Sequence, residues 1–157
     1  MKEYIEQNRE RFLQELLTIL RIPSISAKPE HKPDMYRCAE TLADLLLEAG
    51  ADEAGVCDTD GNPVVFGQKI IDPSLSTVLV YGHYDVQPPE PLEKWHSDPF
   101  EPEVHDVAIW GRGANDDKGQ LFMHIKAFEY LLRSGKLRHN VKFLFEGEEE
   151  IGSPSLP

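Results

Sequence analysis

Four short segments in the second half of this 157-residue sequence contain histidine or acidic residues that could do chemistry. In chain order they are His83-Tyr84-Asp85, the glycine-rich stretch 111–119 with Asp116 and Asp117, the single Glu146, and Glu148-Glu149-Glu150. Imidazole and carboxylate groups together are the ligands that Zn²⁺ and related divalent ions use in proteins. Because there are more carboxylates than one ion needs, the pattern suggests a two-metal site that activates water.

The elements that must position these side chains follow from hydrophobic periodicity. Apolar residues at helical spacing predict helices over 3–21, 34–49 and 118–134, the second capped by Asp34 and closed by Gly50. Short runs of β-branched and aromatic residues predict strands at 54–57, 63–66, 77–81, 107–110 and 141–145. The alternation of helices and strands predicts an α/β fold with a mixed, largely parallel central sheet. The apolar strand 77–81 suits a central position covered on both faces.

Polar side chains directly follow two of these strands. His83 and Asp85 come after strand 77–81, and Glu149 and Glu150 come after strand 141–145. Functional side chains in α/β sheets gather at the carboxyl ends of strands, so these two groups are expected at one rim. His83 is a candidate metal ligand, and Asp85 can accept a hydrogen bond from its other ring nitrogen and fix the tautomer.

Each motif also has a purely structural interpretation. A histidine and an aspartate two residues apart occur in ordinary surface turns, and an aspartate before a helix is favourable by capping and by the helix dipole. The glutamates at 146–150 form a solvated acidic loop unless they pack at a strand end. There they would raise one another's pKa unless a cation neutralised them. In that case one carboxylate binds metal while its neighbour stays free as a general base.

Composition limits the classes of partner. The net charge of −12 disfavours nucleic-acid and anionic-membrane binding, and no window approaches the ~20 apolar residues that span a bilayer. Cys38 and Cys57 are predicted to be buried free thiols. The first residues lack the pattern of a signal peptide, so a cytoplasmic location is expected.

Taken together, the segments resemble the co-catalytic zinc peptidases, the family of carboxypeptidase G, the succinyl-diaminopimelate and acetylornithine deacetylases, aminoacylase and the cytosolic dipeptidases. Residues 81–88, Trp95 with 98–100, 110–119 and 148–153 carry the resemblance. The Asp-Val-Gln-Pro run that begins at Asp85 and the Asp-Asp-Lys-Gly run at 116–119 lean towards the carnosine-type dipeptidases. The resemblance implies a three-layer sandwich with helices flanking the sheet, and hydrolysis of an amide bond in dipeptides or N-acyl amino acids.

The resemblance also implies a role for each site residue. His83 matches a ligand of one zinc, Asp116 the carboxylate that bridges two Zn²⁺ ions, and Glu150 a ligand of the second, with Mn²⁺ or Co²⁺ as alternative metals. Asp85, which orients His83, and Glu149, the general base, match the catalytic residues. Glu-Glu-x-Gly-Ser at the end of the motif sets this register.

Two further expectations come from the same motifs. Glu148 is left outside the site by that register. In relatives the peptide bond after the bridging aspartate is cis, so a cis bond is expected between Asp116 and Asp117.

Further metal ligands of the resembled family, a lid or dimerisation domain and the later strands have no counterpart among residues 1–157. We therefore expect these residues to be the N-terminal portion of a dizinc peptidase catalytic domain, with little or no activity alone, and the intact enzyme to be a homodimer. One alternative is a non-catalytic fragment that binds metal weakly, or binds a partner through an unpaired sheet edge. A two-metal phosphoesterase is disfavoured because no basic cluster is available to hold phosphate.

Overall fold

A computed structural model describes residues 1–156 of the chain. The three α-helices are α1 (Lys2–Leu20), α2 (Lys32–Ala49) and α3 (Lys118–Arg133). The six strands are β1 (Glu53–Cys57), β2 (Val64–Lys69), β3 (Thr77–His83), β4 (Glu103–His105), β5 (Ala108–Trp110) and β6 (Asn140–Glu146). Among the described residues, none of the helices is both long and apolar enough to cross a membrane.

Four strands form the main sheet in the order β1-β2-β6-β3, and β4 and β5 form a separate hairpin. β3 and β6 are parallel, whereas β1–β2 and β2–β6 are antiparallel. The sheet is therefore mixed, as predicted, but parallel pairing does not predominate in the described strands. The reason lies in the connections: a short loop joins β1 to β2 and forces them to be antiparallel, whereas the chain from β3 to β6 passes through α3.

The helices lie on one face of the sheet. α2 packs on β1 and β2, α3 packs on β3, and α1 packs on both of these helices. The core between the layers contains Ile19, Leu42, Leu46, Val65, Leu121, Ile125, Phe143 and Phe145, all fully buried or nearly so. The α/β class with flanking helices is confirmed, and residues 1–156 supply two of the three predicted layers.

Three local predictions are wrong. Among residues 1–156, β3 is an edge strand rather than a central one, and Leu79 on its uncovered face is 62% exposed. Cys57 is exposed because alternate residues of β1 point away from the helices, whereas Cys38 is buried as predicted. α2 begins before Asp34, which lies in its first turn and accepts a hydrogen bond from Nδ1 of His31. Gly50, with φ of 108°, ends α2 in the left-handed conformation, as predicted.

Candidate metal centre

Parallel pairing of β3 with β6 brings two of the polar segments together where the two strands end. His83 stands opposite Glu146 in the strand register. The pairing continues one residue further, because the N–H of Tyr84 donates to the carbonyl oxygen of Glu146 at 2.9 Å. The residues that follow each strand therefore lie side by side.

The three candidate metal ligands converge at these strand ends. One donor atom from each of His83, Asp116 and Glu150 lies within 4.8 Å of the others. Nε2 of His83 is 3.1 Å from Oδ1 of Asp116. The His83 side chain is 9% exposed and that of Asp116 is 71% exposed, so the imidazole forms the floor of the group and the carboxylate its open side. One imidazole and two carboxylates form a donor set that suits Zn²⁺, Mn²⁺ or Co²⁺.

Asp85 organises the residues around this group. It is fully buried. Nδ1 of His83 makes a hydrogen bond of 3.2 Å to the backbone carbonyl oxygen of Asp85 and lies 3.3 Å from its Oδ1. The same carboxylate accepts the backbone N–H groups of Glu149, at 3.2 Å, and of Glu150, at 3.0 Å. Asp85 therefore engages Nδ1 of the imidazole, leaves Nε2 facing the other ligands, and anchors the loop that carries both glutamates.

The surroundings of His83 are strongly anionic. Burial lowers the pKa of its imidazole. The hydrogen bond and charge of Asp85, with the charges of Asp117 and Glu149, outweigh burial and raise that pKa to about 9. The carboxylates thus favour a positive charge at this position, which either a proton or a divalent cation provides.

The glutamates at 146–150 divide into different environments. Oε2 of Glu149 is 3.8 Å from Nε2 of His83, and its side chain is 46% exposed and free of other described partners. Glu148 is buried and accepts the N–H groups of Asn62, at 2.9 Å, and Ser155, at 3.0 Å. Glu146 is buried and accepts the hydroxyl of Tyr81. Glu149 therefore borders the group, whereas Glu148 lies outside it, as expected.

The segment that carries Asp116 is fixed from two sides. Asp117 accepts the N–H of His83 at 3.1 Å through Oδ2, and a Cβ at Gly82 would lie 2.9 Å from that oxygen. Lys118 is fully buried and donates to the carbonyl oxygens of Ile19, at 3.0 Å, and Ile22, at 2.6 Å, just where α1 ends. The bond between Asp116 and Asp117 is cis, as predicted.

Two neighbours of the site were missed by sequence reasoning. Nε2 of Gln87 donates to Oε2 of Glu150 at 2.8 Å, and Oγ of Ser26 donates to Oδ2 of Asp85 at 2.6 Å. The Asp-Val-Gln-Pro run contained a signal for Gln87, because it places an amide four residues after His83. Ser26 lies in an irregular stretch far along the chain from the other motifs, which carries no comparable signal.

The sequence of this chain is similar to those of known metallopeptidases. The model of peptidase family M20/M25/M40 matches residues 79–156. The chain is 36% identical to the Cys-Gly metallodipeptidase dug1 of Schizosaccharomyces pombe, over 98% of this chain and 35% of that protein. It is 34% identical to the Beta-Ala-His dipeptidase of Homo sapiens, over 98% of this chain and 33% of that protein.

A solved structure agrees with these matches. Human carnosine dipeptidase 1 superposes with a TM-score of 0.87 at 32% identity, covering 98% of this chain and 35% of that one. The chain thus spans about a third of the length of the relatives it matches.

Proposed function

We propose, since this chain belongs to peptidase family M20/M25/M40, that it supplies part of a metal-dependent hydrolase that cleaves the amide bond of dipeptides or N-acyl amino acids. The observation that carries the proposal is the convergence of His83, Asp116 and Glu150 at the ends of parallel neighbouring strands. The names of the matched relatives, a Cys-Gly and a Beta-Ala-His dipeptidase, favour dipeptides as the substrate class.

The ligand assignment follows the positions of the side chains. In the proposed site His83 would hold one Zn²⁺, Glu150 would hold a second, and Asp116 would be their shared ligand, with Mn²⁺ or Co²⁺ as alternatives. The open position and high exposure of Asp116 support its role as the shared ligand. Such ions supply Lewis-acid polarisation of a carbonyl and lower the pKa of bound water.

The remaining residues move the proton and hold the ligands in place. Glu149 is the proposed general base: it borders the ligand group but is not part of it, so its carboxylate is free to take a proton from water. The same carboxylate then returns the proton to the leaving amine. Asp85, through its carbonyl oxygen and its nearby carboxylate, keeps the imidazole of His83 in the tautomer that presents Nε2 to the site.

Residues 1–157 correspond to the N-terminal portion of a zinc-peptidase catalytic domain, an assignment supported by the coverage of about a third of each relative. Homodimer formation and a cytoplasmic location stay predictions for the intact protein.

A second candidate function is a metal- or partner-binding fragment without catalysis. It is favoured by the edge of β3, which is unpaired within the part of the chain that the structure describes, and by the exposed Leu79 and Tyr81 on the face that the helices leave uncovered. Zinc binding without hydrolysis would support this alternative.

The test is hydrolysis by the protein in its full natural length, loaded with zinc and supplied with Cys-Gly and β-Ala-His. We expect release of free amino acids, and a loss of about 10²–10⁴-fold in kcat in Glu149→Gln with unchanged zinc content. Glu40→Gln, an exposed change on α2, is the matched control and retains full activity. Zinc-loaded protein that cleaves neither dipeptide, or Glu149→Gln with undiminished turnover, would contradict the proposal.

A further inference from the structure

A short segment after α1, residues 24–26, runs alongside the residues that follow β3. Ile25 forms a parallel bridge with Val86. The N–H of Val86 donates to the carbonyl oxygen of Ser24 at 2.9 Å, and the hydroxyl of Ser24 donates to the carbonyl oxygen of Tyr84 at 2.7 Å. The segment is therefore held against the main chain on either side of Asp85.

This pairing brings a second hydroxyl to the Asp85 carboxylate itself. Oγ of Ser26 is 2.6 Å from Oδ2 of Asp85. A distance in this range is typical of a hydroxyl that donates to an ionised carboxylate, which is about twice as strong as a neutral hydrogen bond. Ser26 thus contacts the buried group that engages both His83 and the Glu149–Glu150 loop.

We propose that Ser26 is a positioning residue for the metal centre, acting through Asp85. Its hydroxyl holds the carboxylate in the rotation that keeps Oδ1 on the N–H of Glu149 and beside Nδ1 of His83, and Oδ2 on the N–H of Glu150. The inference rests on the proposed function, because its consequence is the geometry of the metal ligands. Ser26 touches neither metal nor substrate, and its effect is transmitted by Asp85.

The physical reason is the number of donors at each oxygen. Without the Ser26 hydroxyl, one described donor remains at each oxygen, the N–H of Glu149 at Oδ1 and the N–H of Glu150 at Oδ2, so the carboxylate is held less firmly. The loop carrying Glu149 and Glu150 is then less firmly placed. Nδ1 of His83 keeps its hydrogen bond to the carbonyl oxygen of Asp85 but loses a fixed carboxylate oxygen beside it. Loss of a group that orients metal ligands typically weakens metal binding about 10–100-fold.

A simpler role for Ser26 is to fasten the segment 24–26 to the sheet, as Ser24 does. Ser24 is the matched control, because its hydroxyl also bonds to the segment after β3 but reaches a backbone carbonyl instead of Asp85. Ser26→Thr and Ser26→Val form a second pair: they have nearly the same shape, and only threonine keeps the hydroxyl. This pair tests the inference even if Ser26→Ala does not fold.

The experiment measures the zinc dissociation constant by chelator competition, and the free energy of unfolding in urea, for this chain and its variants. We expect Ser26→Ala and Ser26→Val to bind zinc about tenfold more weakly, and Ser26→Thr and Ser24→Ala to stay within about threefold of the unmodified chain. Ser24→Ala should nevertheless lose stability, since it removes a buried hydrogen bond.

The outcomes separate this inference from the proposed function. If the unmodified chain binds zinc and Ser26→Ala binds it equally well, Ser26 has no positioning role although the site exists. Equal weakening by Ser24→Ala would also overturn the inference, because it would show that fastening the segment is sufficient. If the unmodified chain binds no zinc, both the site and the role of Ser26 are refuted.

Discussion

Glu150 is held by both its main chain and its side chain. Its N–H donates to Asp85 at 3.0 Å, and its Oε2 accepts a hydrogen bond of 2.8 Å from Gln87. The single segment 85–87 therefore sets the position of this candidate ligand and leaves Oε1 available. Metal-binding carboxylates are commonly held by such partners.

Gln87→Ala removes the side-chain hydrogen bond to Glu150. We expect it to weaken zinc binding about tenfold, because the Glu150 carboxylate is then free to rotate. Stability should change little, because Gln87 is exposed. Gln68→Ala is the matched control: Gln68 donates to Glu53 at 2.6 Å on the far side of the sheet, so it should leave zinc affinity unchanged. Equal zinc affinities in Gln87→Ala and the unmodified chain would show that Glu150 needs no such support.

Glu148 provides the opposite case, an acidic residue of the same motif with a structural role. Its two oxygens accept separate backbone N–H groups from Asn62 and Ser155. Glu148→Gln replaces one acceptor by an NH₂ group that faces another donor, and we expect it to cost about 1–3 kcal/mol of unfolding free energy.

Urea denaturation measures the stability loss in Glu148→Gln, and chelator competition measures its zinc affinity. The affinity should fall less than in Glu150→Gln, which removes a proposed ligand. A loss of zinc affinity in Glu148→Gln as large as in Glu150→Gln, without loss of stability, would place Glu148 among the ligands instead.

At the scale of secondary structure, α1 and α3 are joined by a cluster of charged side chains. Glu129 is fully buried and pairs with Arg11 at 2.5 Å and Lys126 at 3.0 Å. It also accepts the hydroxyl of Tyr4 at 2.7 Å. Burial raises the pKa of Glu129, but these three partners outweigh it and lower the pKa to about 2.

The pH dependence of stability follows from this shift. Because the pKa of Glu129 is lower in the folded chain than its ordinary value of about 4.3, its contribution is complete above that value and is lost as the pH falls towards 2. The loss amounts to about 3 kcal/mol. We expect Glu129→Gln to be less stable at pH 7 and to show a smaller further decrease between pH 5 and 2.

Urea denaturation across that pH range measures the effect, and Glu10→Gln, an exposed change on α1, is the control. Parallel pH profiles for Glu129→Gln and the unmodified chain would contradict the assignment.

The elements themselves were largely predictable, because their signals are local. Helical periodicity placed α1 and α3 within a few residues of their observed bounds, and Gly50 ended α2 as expected. The position of a strand within the sheet is not a local property. The composition of β3 is that of a covered strand, yet its neighbour on one side is β6 and its other edge is unpaired in residues 1–156.

The residues of the candidate site also divide into those with a local sequence signal and those that depend on a contact between distant parts of the chain. His83, Asp116 and Glu150 were predictable because each belongs to a compact motif of ligand-type residues. Ser26 was not, since its importance depends on a contact with Asp85 across 59 positions of the chain. The ion pairs of Glu129 were missed for a related reason. Helical periodicity assigns charged residues to the solvent face, and it does not predict that a neighbouring helix buries one of them.

On the whole molecule, the helices cover one face of the sheet and leave the other face uncovered. On the uncovered face, β3 exposes apolar side chains. Leu79 and Tyr81 lie on this face, and β3 has an edge beside them that no described strand pairs with. Exposed apolar edge strands favour association with another chain. We therefore predict that residues 1–157 self-associate as concentration rises, and that Leu79→Lys shifts the chain towards monomer.

Sedimentation velocity over a range of concentrations measures this association. Leu47→Lys is the control, because Leu47 is an exposed leucine on α2, away from that face. Monomeric behaviour of the unmodified chain at all concentrations, or an equal effect of Leu47→Lys, would contradict the prediction.

The most direct test of the metal centre is zinc X-ray absorption on the zinc-loaded chain, recorded also for His83→Ala. We predict nitrogen and oxygen ligands at about 2.0–2.2 Å with an imidazole contribution, and loss of that contribution in His83→Ala together with weaker binding. Sulfur ligands at about 2.3 Å, or an unchanged spectrum in His83→Ala, would show that zinc binds elsewhere and that His83, Asp116 and Glu150 do not form its site.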